Sequence, residues 1–292
     1  MARDYKSKEE EAIDLVEAAE KKLKSSGFFS FFSGSSKEAE ARDLYNQAAI
    51  CFKMVKNWKG VGDCYSKAAT LAPTNSERAL DFKEAATAYK KVDPNAALHC
   101  LSQSISLLTD LGRFREAAKR QIEVAQIYEE QLIDLPKAIS AYSDAADWFS
   151  TDGNCPSEER KALIKVAHFS AQLEDYTRAI NLFTKIGSES SENPLLRFGA
   201  REYFLKAGLC HICTQDLLTA KREMEKYCSL CPNFANSREQ KFLQDIINAG
   251  EEEDLEAFVE VVKKYDSMTP LDTWTSTILL KLKQNLGEVS VT

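Results

Sequence analysis

No run of about eighteen apolar residues occurs anywhere in the chain, so no segment is predicted to cross a bilayer as a helix. The first twenty residues are rich in lysine and glutamate. They lack the apolar stretch of a secretory leader, which points to a cytosolic protein. There is no excess of positive charge. The formal net charge is −7 and the pI about 5.3, which excludes a chain-wide nucleic-acid binder and leaves room only for a local basic face. Enzyme signatures are missing too: no glycine-rich phosphate loop, no H-E-x-x-H and no G-x-S-x-G. Histidine is scarce. His99, His168 and His211 fall in separate predicted helices with no partner cluster and read as packing or surface residues, so no catalysis is expected.

What is present is ordinary for a folded, soluble chain: 292 residues, 44% hydrophobic and 28% charged. The 11 glycines and 7 prolines fall mostly between periodic segments. Few segments read as strands. One motif recurs: a small residue, then an apolar pair at i+3 and i+4, then a small or apolar pair at i+7 and i+8. It reads Ala41…Leu44-Tyr45…Ala48-Ala49, Val61…Cys64-Tyr65…Ala68-Ala69 and Ala97…Cys100-Leu101…Ser104-Ile105. It continues as Ala138…Ala141-Tyr142…Ala145-Ala146, Ala179…Leu182-Phe183…Ile186-Gly187 and Ala200…Tyr203-Phe204…Ala207-Gly208.

These offsets place one apolar stripe on an α-helix. Alanine permits close approach of a neighbour, and the aromatic at i+4 fills the groove. Successive copies start about 20, 36, 41, 41 and 21 residues apart. Steps near 20 are a helix plus a turn, and steps near 40 a helical hairpin, the arithmetic of a tetratricopeptide-like (TPR-like) array. Further helices are expected over 79–91, 114–132 and 158–173. Turns are expected at Asp93-Pro94, Leu111-Gly112, Asp152-Gly153, Asn193-Pro194 and Pro232-Asn233. The motif fades near residue 236. Helices over 237–249, 254–265 and 271–282 are predicted to cap the last repeat, as a helix over 9–24 caps the first. The predicted fold is all-α: an elongated TPR-like helical-hairpin solenoid over 1–235 with a C-terminal helical bundle cap over 236–292.

Eight cysteines are spread through the helical pattern. In a reducing compartment they are predicted to stay free. Cys210-x-x-Cys213 and Cys228-x-x-Cys231 have a spacing that can hold zinc. The helix predicted between them, at about 1.5 Å per residue, would hold the pairs roughly 20 Å apart, beyond the reach of one ion. Buried thiols are the expectation, with no metal and no other cofactor.

Three features suggest contacts. Gly27–Gly34 carries Phe28, Phe29, Phe31 and Phe32 among glycine and serine. Such a loop either folds back onto the first repeat or dips into a membrane interface, where Lys21, Lys22, Lys24 and Lys37 would meet anionic lipid. Basic residues recur once or twice per hairpin: Lys56, Lys90, Lys91, Arg113, Lys119, Arg120, Lys161, Lys165 and Arg201. Any one of them is an unremarkable solvated cation. Their recurrence suggests a stripe able to grip an elongated acidic partner. The run Glu251-Glu252-Glu253-Asp254 either opens a solvated helix or docks a basic partner.

The chain resembles the soluble NSF attachment protein (SNAP) family, alpha type, over essentially its whole length. The resemblance is carried by the Phe28–Lys37 segment, Phe52-Lys53-Met54-Val55-Lys56-Asn57-Trp58, Lys90-Lys91-Val92-Asp93-Pro94, Gly112-Arg113-Phe114, Ala117-Ala118-Lys119 and Lys165-Val166-Ala167. It continues in Asn193-Pro194-Leu195-Leu196, Glu202-Tyr203-Phe204, Phe234-Ala235-Asn236-Ser237-Arg238-Glu239, Tyr265-Asp266-Ser267 and Leu271-Asp272-x-Trp274. It implies an adaptor that wraps a four-helix SNARE bundle in several copies and recruits the hexameric ATPase NSF.

By the same resemblance, Phe28, Phe29, Phe31 and Phe32 would touch membrane. Lys56, Lys91, Arg113, Lys119, Lys161, Lys165 and Arg201, with Leu195 and Phe198, would face SNAREs. Asp216, Glu251, Glu252 and Glu253 would face the ATPase. The ending Gly287-Glu288-Val289-Ser290-Val291-Thr292 departs from the acidic, leucine-bearing end of the family, so recruitment of the ATPase is implied more strongly than its stimulation. The expected location is cytoplasmic and peripheral to membranes, with no nucleic-acid partner. The competing reading is a cytosolic TPR-type scaffold for peptide or chaperone tails.

Overall fold

The recurrent stripe is the core. In a computed structural model, which describes residues 2–24 and 34–289, Ala41, Tyr45, Ala48, Ala49, Val61, Cys64, Ala68 and Ala69 are all buried. So are the alanines of every later copy, together with Leu101, Tyr142, Phe183 and Phe204. The last copy of the motif brings its neighbour closest at Gly208. A Cβ on Gly208 would lie 2.2 Å from Leu243 Cδ2, a distance no alanine tolerates.

The described residues form fourteen α-helices. Seven lie before residue 153: α1 (Ala2–Lys24), α2 (Gly34–Met54), α3 (Trp58–Leu71), α4 (Asn75–Tyr89), α5 (Pro94–Asp110), α6 (Phe114–Ile127) and α7 (Leu135–Asp152). The others are α8 (Pro156–Gln172), α9 (Tyr176–Glu192), α10 (Ala200–Cys213), α11 (Leu217–Leu230), α12 (Arg238–Glu251), α13 (Leu255–Met268) and α14 (Thr273–Val289). No strand occurs among the described residues, and no helix among them is long and apolar enough to cross a membrane. The fold class read from the stripe, an all-α TPR-like array of hairpins, is the one observed.

Helix starts follow local chemistry. Asn57, Thr74, Asp93, Asp134, Asp175, Asp216, Ser237 and Asp254 each accept a backbone N–H of the first turn, satisfying a donor the helix cannot. At six of these caps the residue just before is left-handed and not glycine: Lys56, Ile133, Glu174, Gln215, Asn236 and Glu253. The cap after each stabilises a turn that glycine would otherwise favour. The segment predicted as helix over 114–132 is α6 followed by a π-helical turn, Tyr128–Leu132. The first helix begins at Ala2, seven residues before the predicted start.

The chain divides into two compact units, Met1–Glu159 and Arg160–Thr292. In the first, helices from α1 to α7 pack on their sequence neighbours, so successive turns alternate between the two ends of the layer. In the second, α9 to α14 share one core around Phe183, Phe204, Tyr227, Phe234, Ile246 and Ile278. The predicted passage from repeat to cap at residue 236 falls inside this second unit.

Candidate partner-binding surfaces

In the first unit, alternating turns sort the predicted cations. Lys56 sits in the α2–α3 turn and Lys91 in the α4–α5 turn. The two turns are joined through Trp58, whose ring centre lies 3.3 Å from Lys91 Nζ. The same end is tied to the close of α6, where Gln131 Nε2 donates to the Lys90 carbonyl at 3.1 Å. Arg113 sits in the α5–α6 turn, at the other end. Its Nη1 donates to Ser76 Oγ at 2.6 Å and its Nε to Glu116 Oε1 at 2.7 Å. Arg120 is held by Glu123.

Lys119, one and a half turns into α6, is exposed and, like Lys56, has no ion-pair partner among the described residues. The predicted cations of this unit are thus in different states: Lys56 and Lys119 are open to solvent, Lys91 rests on Trp58, and Arg113 and Arg120 are already neutralised.

In the second unit, Lys161 on α8 is exposed and unpaired among the described residues. Lys165 stands 5.4 Å from the Phe169 ring centre. Arg201 Nε lies 3.4 Å from Oε1 of Glu239, a buried carboxylate. Between α9 and α10 the chain makes a tight turn in which Asn193 Oδ1 accepts the Leu195 N–H at 2.9 Å. It presents Leu195 at 90% exposure and Phe198 at 64%, and the Arg197 guanidinium lies over the Phe198 ring at 5.2 Å. Apolar side chains this exposed are of the kind found on contact surfaces.

The acidic residues gather at the turns flanking α11 and α12. Asp216 caps α11, and the Thr219 backbone N–H holds its carboxyl below the usual range. Glu251 is 3.5 Å from Lys221. Glu252 and Glu253 are exposed and unpaired among the described residues. Glu253 borders a cavity of about 250 Å³ walled by Ile212, Leu217, Ile246, Phe258, Leu282 and Leu286.

The C-x-x-C cysteines are packing groups. Cys210 and Cys213 are buried in α10, and Cys228 and Cys231 lie at the end of α11. Burial pushes the Cys213 thiol up to about 12 and also raises Cys210 and Cys228. His168 stacks on Trp274 with ring centroids 5.1 Å apart, and His211 Nε2 lies 3.1 Å from the Tyr227 hydroxyl. Phe28, Phe29, Phe31 and Phe32 lie outside the described residues.

A family model described as soluble NSF attachment protein, SNAP, matches residues 10–287. The chain belongs to the soluble NSF attachment protein family. It is 42% identical over 288 residues to the beta-soluble NSF attachment protein of Bos taurus, covering 97% of this chain and 96% of the relative. It is equally 42% identical over 288 residues to the alpha-soluble NSF attachment protein of Mus musculus, covering 97% of both. The alpha-type relative from Saccharomyces cerevisiae is 35% identical over 283 residues, covering 94% of this chain and 97% of that one. Members of the SNAP family are adaptor proteins rather than enzymes.

Sequence reading missed Trp58 as the rest for Lys91, Glu239 as the partner of Arg201, and the cavity beside Glu253. The Arg113–Glu116 pair was visible as an i, i+3 spacing of opposite charges. The other three join residues more than thirty positions apart and leave no local signal.

Proposed function

We propose that this chain is an adaptor in vesicle fusion and intracellular transport. It binds the assembled four-helix SNARE bundle and recruits the hexameric ATPase NSF, which disassembles the bundle with ATP. Two kinds of relatives support the reading: those named for attachment of NSF and those named vesicular-fusion proteins, the latter 36% identical in Neurospora crassa and 33% in Schizosaccharomyces pombe. The observation that carries it here is the state of Lys56, Lys119 and Lys161, exposed cations with no carboxylate partner of their own among the described residues. They suit an acidic coiled surface, assisted by Lys91, Lys165, Leu195 and Phe198.

Each exposed ion pair contributes about 0–1 kcal/mol, so useful affinity comes from several contacts per copy and several copies per bundle. Asp216, Glu251, Glu252 and Glu253 form the surface for the ATPase. Phe28, Phe29, Phe31 and Phe32 add a membrane contact that operates when the bundle is anchored in a bilayer, which makes the protein cytoplasmic and peripheral.

The test is reconstituted SNARE disassembly with NSF and ATP, with and without this protein. Disassembly that does not depend on it would overturn the proposal. The scaffold reading has one observation of its own, a cleft of about 450 Å³ between α5, α6 and α7 lined by Leu98, Tyr128 and Trp148. Binding of short peptides there, with no SNARE binding, would favour it.

A further inference from the structure

The cavity beside Glu253 is an unusual feature for the end of an adaptor that meets its partner through charge. Helices α10 to α14 all contribute to it. Ile212, Leu217, Ile246, Phe258, Leu282 and Leu286 make its walls, while Gln215, Glu253 and Asn285 supply the polar edge. At about 250 Å³ it exceeds the roughly 150 Å³ apolar cavity that stays dry and takes up benzene. It therefore has room for a leucine or isoleucine side chain.

One carboxylate, Glu253, lines its border, and three more acidic residues stand next to lining residues in the chain. Asp216 lies between the lining residues Gln215 and Leu217, and Glu251, Glu252 and Glu253 directly follow the lining residue Gly250. Lys221 offsets one of these carboxylates, Glu251. The same sequence runs that carry the acidic residues thus also carry the cavity wall.

We propose that this cavity is an apolar anchor site for the ATPase, receiving one aliphatic side chain presented on a cationic segment of that partner. The inference rests on the ATPase-recruiting role proposed above and adds the chemistry of the contact. Exposed charge pairs steer and orient an encounter. Long residence comes from a side chain desolvated in a central pocket with charged residues around it. The acidic rim selects the cationic segment, and the cavity holds it.

Binding of the hexameric ATPase to this protein on SNARE bundles is the assay, read at low and high salt. Leu286→Trp and Asn285→Trp fill the cavity from α14. Each is expected to weaken ATPase binding about tenfold or more, the loss for one buried aliphatic side chain, with SNARE-bundle binding unchanged. Glu252→Lys with Glu253→Lys is expected to abolish ATPase binding at low salt.

If the charge reversal acts and both tryptophan variants bind the ATPase like the parent, the anchor is overturned and the adaptor role stands. If the charge reversal has no effect, the ATPase docking surface itself is wrong. A readout on the unaltered chain covers misfolding of the variants: the methyl resonances of Ile212 and Ile246 should shift or broaden on addition of the ATPase. Unchanged resonances would overturn the anchor.

Discussion

Lys206 Nζ lies 3.0 Å from Asp272 Oδ2, joining the middle of α10 to the residue just before α14. The lysine is 4% exposed. Its ammonium also meets Glu202 Oε1 and His168 Nε2, each at 3.1 Å, and stands 5.2 Å from the Trp274 ring centre. Asp272 meanwhile accepts the Thr275 N–H through Oδ1 at 2.6 Å, so one carboxylate both starts α14 and neutralises a buried cation. Asp272→Asn leaves that cation under-compensated and is expected to cost about 1–3 kcal/mol. Lys206→Met keeps the stem and removes the charge, while the half-exposed Asp272 returns to water, so its cost should be smaller. Urea midpoints of the two variants check the order.

His168 faces the same cluster. Burial first, and then the cation of Lys206, hold its pKa down to about 4; Lys165 acts in the same direction and Asp272 against it. Between about pH 4 and the free value near 6.5, the unfolded chain binds a proton at this position that the folded chain refuses. Stability therefore falls as pH drops through that window, by on the order of 3 kcal/mol once pH 4 is reached. His168→Gln keeps a hydrogen-bond acceptor and cannot titrate. The difference in urea midpoint between pH 7 and pH 4.5 should be smaller in this variant than in the parent.

At Gly208 a new Cβ would meet Leu243 Cδ2 at 2.2 Å. Alanine gains up to about 1 kcal/mol of helix propensity there, but overpacking between α10 and α12 should outweigh it, for a net loss of about 1–3 kcal/mol. Leu243→Ala alone opens a cavity and should cost about 2–5 kcal/mol. Because the two side chains contend for one space, the double variant should lose less than the sum of the singles. Additive losses would show that the contact is relieved elsewhere.

The residues that were legible in the chain are those whose role is local. The i, i+3, i+4 spacing of Ala138, Ala141 and Tyr142 requires a buried helix face whatever it packs against. The turns expected at Asp93-Pro94, Leu111-Gly112 and Asp152-Gly153 fall at helix ends, because proline and glycine punctuate the chain locally. Left-handed Lys56, Glu174 and Gln215 were not foreseen because glycine is the usual marker. Here the capping residue that follows does that work.

The candidate sites were legible only as residue types. Sequence placed Lys119 and Arg113 in one class, and tertiary packing separates them: Glu116 and Ser76 hold Arg113, while nothing among the described residues holds Lys119. Lys206 was not among the predicted site residues, because its burial depends on α14, more than sixty residues away.

The four phenylalanines at 28, 29, 31 and 32 bear on the membrane term alone. Phe28→Ser with Phe29→Ser should slow disassembly of bundles anchored in liposomes and leave detergent-free soluble bundles nearly unaffected. Burial of two phenylalanines in an interface is worth about 1.5–3 kcal/mol each at full depth, so the loss on liposomes should reach tenfold or more. Equal losses in both assays would show that the loop supports the first repeat instead of contacting lipid.

The sharpest division among the cations is between free lysines and paired arginines. Lys119→Glu with Lys161→Glu replaces attraction by repulsion at two exposed positions, and should abolish capture of SNARE bundles because the loss recurs in every copy. Arg113→Gln and Arg201→Gln remove charges that Glu116 and Glu239 already offset. Their effect on capture should be several-fold smaller, and it should show chiefly as lost stability, most at Arg201, whose removal leaves the buried Glu239 carboxylate without its cation. Conversely, Glu116→Gln frees Arg113 and should strengthen capture at low salt, an advantage that disappears as salt screens the added charge. Capture measured across a salt series separates these cases. If the arginine variants lose as much as the lysine pair, the internal pairs break on binding and all of these cations act together.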